Sequence, residues 1–129
     1  MATINLNRDE IGVDSSLDCI VIIKALADIP GGRALDVTGF TPTVIKAGHI
    51  IICSNEGVFK PMPVNSGNSG YKTLPESHKI VGVLKASIPT TDARAAIVTM
   101  GQINAAASPY PISQEIKTAL PNIQFLYEK

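Results

Sequence analysis

Four short runs of β-branched and apolar residues set the limits on this chain. They are Cys19-Ile20-Val21-Ile22-Ile23, His49-Ile50-Ile51-Ile52-Cys53, Lys79-Ile80-Val81-Gly82-Val83-Leu84 and Ala95-Ala96-Ile97-Val98-Thr99-Met100. Each is too short for a helix of ordinary length and is rich in side chains that suit a pleated sheet. Glycine, proline and asparagine punctuate the chain between them: Pro30-Gly31-Gly32, Ala47-Gly48, Ser54-Asn55-Glu56-Gly57, Asn65-Ser66-Gly67-Asn68-Ser69-Gly70 and Gly101. Short strands separated by turn signals define a mainly β protein.

The runs divide the chain as follows. Asp18 to Leu26 reads as a strand buried on both faces, and Arg33 to Val37 as a half-buried one. Ile45 to Gly48 turns into a strand from His49 to Cys53, and Ser54 to Gly57 closes a hairpin onto Val58-Phe59-Lys60. Pro61 and Pro63 cannot donate to a ladder, so Val58 to Val64 belongs at a sheet edge. Asn65 to Lys72 is expected to be an exposed, mobile loop, and Ser87 to Asp92 another loop. The strand at Ala95 to Met100 is expected to end at Gly101. One helix is credible: Ser113 caps it, Glu115 stands in the first turn, Ile116, Ala119 and Leu120 keep helical spacing, and Pro121 stops it. Ile123 to Tyr127 returns to strand. The expected fold is a small single-domain β barrel or folded sheet with one short C-terminal helix.

Composition limits the function classes. The 129 residues are 45% hydrophobic and only 17% charged, which excludes disorder as the default. Lys plus Arg equals Asp plus Glu at 11 each, so the chain lacks the basic surplus of a protein that neutralises phosphates. No run approaches the ~20 apolar residues of a membrane span, and the first ten residues lack the basic start and apolar core of a secretory signal. Cys19 and Cys53 sit in apolar runs and read as small buried hydrophobes, which points to an intracellular product with reduced thiols. Residues 1–18 carry a net charge of −3 and the rest +3. The first 17 residues therefore read as a flexible arm ahead of a β-rich domain over 18–129, the plain alternative being a frayed terminus.

A search for chemistry finds little. His49 and Cys53 fall on one strand face, but four residues of strand set them ~13 Å apart, too far to share a metal. His78 has no ligand spacing beside it. Asp92 and Arg94 offer an acid and a base, yet Thr90-Thr91-Asp92 reads more simply as a turn that satisfies its own backbone. Gly31-Gly32 and Gly67-x-x-Gly70 lack the following Lys-Ser/Thr and capped helix of a phosphate cradle. Three Phe, three Tyr and no Trp leave no aromatic platform for single strands or sugars. The expectation is a protein with no catalytic, cofactor or metal residues.

Two segments carry a resemblance. Ile45-Lys46-Ala47-Gly48-His49-Ile50-Ile51 followed by Gly57-Val58-Phe59-Lys60-Pro61, and Lys79 to Leu84 followed by Thr90-Thr91-Asp92-Ala93-Arg94-Ala95-Ala96 through Gly101-Gln102-Ile103-Asn104-Ala105-Ala106, are similar in order and spacing to the head decoration proteins of lambda-type tailed phages. The end of the chain, Pro111 to Leu126, with its short helix and closing strand, resembles those of phage head and head-fibre proteins. The likeness runs over roughly residues 30–127. It implies a non-enzymatic virion protein, made in the host cytoplasm, that sits as a homotrimer on threefold or quasi-threefold positions of the capsid surface. It implies contact with the major capsid protein and with head-fibre proteins, and none with nucleic acid or membrane. It also implies that the arm adds a strand to the coat, a role that falls on Thr3, Ile4 and Leu6. The acidic Asp9, Glu10 and Asp14 depart from the family's arm. The competing class is a non-catalytic β-rich binding or adhesin module.

Overall fold

The computed structural model describes residue 16, residues 18–67 and residues 69–127. Thr3, Ile4 and Leu6, with the rest of the expected arm up to residue 15, lie outside the described residues. The chain enters through one helical turn, α1 (Asp18–Val21), and continues as strand β1 (Ile22–Asp28). There follow β2 (Arg33–Ala34), β3 (Val44–Ile45), β4 (Ile50–Ser54), β5 (Phe59–Pro61), β6 (His78–Leu84), β7 (Ile88–Pro89), β8 (Arg94–Ala95) and β9 (Ile97–Asn104). Helix α2 (Gln114–Ala119) and strand β10 (Ile123–Leu126) complete the order.

The protein is mainly β, and its sheet is folded rather than closed. Five strands run in the order β1-β9-β6-β4-β5, and β10 joins as a sixth by pairing with β9. Two small ribbons, β2-β8 and β3-β7, lie apart from it. Strand β9 is the hub. Antiparallel β1 follows one of its sides, from Val98 to Ile103. On the other side Ile97 and Val98 pair with β6, and Gly101 to Asn104 pair in parallel with β10. Gly101 therefore does not end the strand, as the sequence suggested. It lies inside the strand, where β1 approaches too closely for a side chain: a Cβ there would overlap the Lys24 carbonyl.

Successive residues of a strand face opposite sides of a sheet, and β4 uses both sides for core. Ile50 and Ile52 enter one apolar cluster with Val83, Ile103, Ile112, Ile116, Leu120 and Ile123, beneath α2 and β10. Ile51 enters a second with Leu35, Ile45, Leu84, Ala95 and Ile97, beneath the two ribbons. Helix α2 forms as its sequence implies: the Ile116 N–H donates to the Ser113 hydroxyl at 3.3 Å, and Ile116 and Leu120 are buried. Strand β5 takes the edge position its prolines require.

The expectation of a doubly buried strand from Asp18 to Leu26 is corrected. Its first four residues are helical, and β1 lies at the opposite edge of the sheet, pairing with β9 alone and mostly exposed. β-branched residues mark a strand but do not say whether a second neighbour covers it. Asn65 to Lys72 is the exposed loop expected, and its ends are tied together. Asn65 and Gly70 close it by a main-chain bond of 2.9 Å, Lys72 donates to the Pro63 carbonyl at 2.8 Å, and the Asn65 side chain accepts from the Ser69 N–H. Within Ser87 to Asp92, Ile88 and Pro89 pair with β3, and Thr90 to Asp92 make a single 3-10 turn.

One polar clamp fixes the entry of the chain. The Ser87 N–H and hydroxyl donate to the two oxygens of Asp18, at 2.8 and 2.7 Å, and the Ala47 N–H donates to the Ser87 hydroxyl at 3.0 Å. The carboxylate so joins α1 to two loops far away in sequence. Asp18→Ala is expected to cost about 1–3 kcal/mol, because it leaves both Ser87 donors unpaired in a partly buried site. Urea unfolding measures it, and a change within about 0.3 kcal/mol of zero would show that the clamp carries no stability.

Candidate functional site

Of the residues weighed for chemistry, the fold brings together Asp92 and Arg94. They form an ion pair of 3.0 Å between largely exposed side chains on the 3-10 turn and β8. Such an exposed pair orders a turn and contributes little more. The His78 imidazole lies 2.7 Å from the Glu76 carbonyl two residues before it. Among the described residues no three His, Cys, Asp or Glu side chains come together to hold a metal. No helix among them is long and apolar enough to cross a membrane. Gly31-Gly32 leads into β2, and Gly67 and Gly70 lie in the small hairpin of Asn65 to Lys72; neither precedes a helix.

The two cysteines part company. Cys53 is buried on β4, as expected, whereas Cys19 is exposed on α1. A thiol reagent is therefore expected to modify Cys19 within the native protein and to reach Cys53 only on unfolding. Mass spectrometry of the labelled peptides checks this, and equal labelling of both in the native state would contradict the burial of β4.

His49 is the one buried polar side chain of the described core, only 1% exposed immediately before β4. Three loops bring aromatic rings against it edge-on: Phe40 at 5.4 Å between centroids, Tyr71 at 5.1 Å and Tyr110 at 5.5 Å. Tyr71 and Tyr110 also touch each other at 5.1 Å. The imidazole Nε2 lies 2.9 Å from the Met62 carbonyl, an acceptor, so Nε2 carries the proton. Burial holds the ring neutral, depressing its pKa from 6.5 to about 4. The Ile50 N–H donates to the Tyr71 hydroxyl at 3.1 Å. Burial raises the pKa of both tyrosines, so they too remain uncharged. The cluster is a neutral pin that holds the ends of three loops to β4. Half of the six Phe and Tyr residues meet there, a convergence that their sequence positions, from 40 to 110, did not suggest.

The other feature lies at the β1 edge. Ile20, Ile23, Leu26 and Met100 are 48%, 40%, 59% and 40% exposed, which places four large apolar side chains in water along α1, β1 and the adjoining part of β9. The register explains two of them. Ile22 stands opposite Ile103 and Lys24 opposite Gln102, then Ala25 opposite Gly101 and Ala27 opposite Met100, so Ile23 and Leu26 have no residue across from them. They occupy bulges, which twist an edge and guard it against unselective strand addition. Asp28 closes this row and lies 3.7 Å from Lys85. Sequence reasoning assigned Ile23 and Leu26 to the core. The contrary signal was Lys24, a charge in the middle of the apolar run. Val58 and Tyr127 are also exposed, at 43% and 69%, but the β1 edge holds four such side chains.

Comparisons of the chain with protein-family models, with curated proteins and with solved structures find no match.

Proposed function

We propose that this chain is a structural protein of a tailed-phage head, bound to the outside of the capsid as a homotrimer at threefold or quasi-threefold positions. In this reading it stabilises the shell through the major capsid protein, serves no catalytic role and anchors head fibres. The order and spacing of the two glycine and apolar segments from Ile45 to Pro61 and from Lys79 to Ala106 suggest the class. The observation that carries the reading is the apolar edge of α1 and β1, exposed at the point where the chain enters the domain. The expected arm with Thr3, Ile4 and Leu6 precedes that edge in sequence, and attachment by several arms would multiply weak contacts into avidity.

The test mixes purified protein with expanded, undecorated capsids of the matching phage and follows co-sedimentation. Saturable binding, weakened in a chain that lacks residues 1–17, is the expected result. Full-length protein that stays in the supernatant at high excess would overturn the reading and favour the binding or adhesin module.

A further inference from the structure

The exposed edge has a second property, visible only once β1 is known to be an edge. Residues 23–29 read Ile-Lys-Ala-Leu-Ala-Asp-Ile. Within β1 the segment is self-complementary about Leu26: Ala25 answers Ala27, and Lys24 answers Asp28. We propose that β1 is the contact of a two-fold homodimer, in which two copies of this chain lay the strand antiparallel against one another with Leu26 on the axis.

An isologous contact must satisfy itself, because the same patch serves both partners. Antiparallel pairing about Leu26 sets Leu26 against its own copy and Ala25 against Ala27. It sets Lys24 of each chain against Asp28 of the other. Residues directly opposite in antiparallel strands interact, with opposite charges favourable and like charges unfavourable. Each unlike pair occurs twice by symmetry. Lys85, 3.7 Å from Asp28, adds a second cation to each cluster. Leu26, left without a partner by β9 and 59% exposed, gains an apolar neighbour in its own copy. Three register shifts against β9 interrupt a long run of main-chain bonds, so recognition falls to the side-chain pattern, which a second copy matches in this register. A shift of one residue sets Lys24 against Ala27 and loses both charge pairs.

The two-fold contact is one the chain makes off the capsid and exchanges for the coat on binding; the experiment needs no capsid, so its outcome is separate from that of the proposed function. Sedimentation velocity over a concentration series compares the full chain with Lys24→Asp and Asp28→Lys. Each variant places like charges opposite one another at both sites, and its dimer should weaken by roughly tenfold or more. An equimolar mixture of the two variants restores unlike pairs at both sites and should dimerise like the unaltered chain, as should the double variant K24D/D28K. Both positions are exposed, and circular dichroism melts confirm that each variant is folded. A chain that is monomeric throughout the series would overturn the inference and leave the edge for a different protein. So would self-association that ignores the charge changes, or folded variants whose mixture fails to recover.

Discussion

Acidification from neutral pH to pH 4 is expected to remove about 3 kcal/mol of stability through His49 alone. The sign follows from where the proton binds. In the unfolded chain the imidazole titrates at its ordinary 6.5, whereas in the folded protein burial lowers that to about 4. Between those values the unfolded state holds a proton that the native state refuses, so stability is full above 6.5 and falls as pH drops towards 4. Each pH unit in that window is worth about 1.4 kcal/mol. The Met62 carbonyl, which accepts from Nε2, favours the charged ring but is outweighed by desolvation among Phe40, Tyr71 and Tyr110. Asp36 does not confuse the result. The Thr38 hydroxyl and N–H donate to its carboxylate and hold its pKa below 3.8, so its contribution is lost only below the window.

The control is His49→Phe, which keeps an aromatic ring among the three others but carries no titrating group. It leaves the Met62 carbonyl without its donor and should cost about 1–3 kcal/mol at neutral pH. Urea unfolding at intervals across the window should show the natural chain losing stability against the variant as pH falls. Parallel curves for the two proteins would mean that His49 is not held neutral by the fold.

Gly101→Ala is expected to cost about 3 kcal/mol, and to lower Tm by on the order of 10 °C. The added methyl would fall on the main-chain carbonyl of Lys24, and 3.2 Å from the Ala25 Cα, where only backbone can give way. Gly101 also has φ of 157°, a conformation that side chains rarely adopt. Relief requires β1 to move off β9, which would disturb the edge on which both the capsid reading and the dimer depend. Gly67→Ala is the comparison: its nearest neighbours are side-chain atoms at 3.8 and 3.9 Å, so its effect should be small. Thermal and urea unfolding of the two variants decide the matter. A Gly101→Ala protein as stable as Gly67→Ala would mean that β1 does not pack this closely on β9.

These expectations rest on features of unequal legibility in the sequence. The strands at His49 to Cys53 and Lys79 to Leu84 and the helix capped by Ser113 were readable because their signals are local. β-branched runs fix backbone preference, a serine accepts from the third residue onward, and proline ends what it cannot continue. The edge position of β5 was readable for the same reason, since Pro61 removes a donor wherever it lies.

The sequence by itself determined that this is a small β protein with one short helix near its end and, Gly101 apart, which residues turn the chain. Only the tertiary structure decided which strands have two neighbours. Ile50 to Ile52 and Cys19 to Ile23 are alike in composition. Yet β4 lies between β5 and β6 and is wholly buried there, whereas β1 has β9 alone and leaves Ile23 and Leu26 in water. The difference arises from pairings between distant segments, which no local preference encodes. The same holds for His49. Its neighbours Phe40, Tyr71 and Tyr110 arrive on three separate loops, and burial by rings so far apart along the chain changes its proton affinity only once the sheet has assembled.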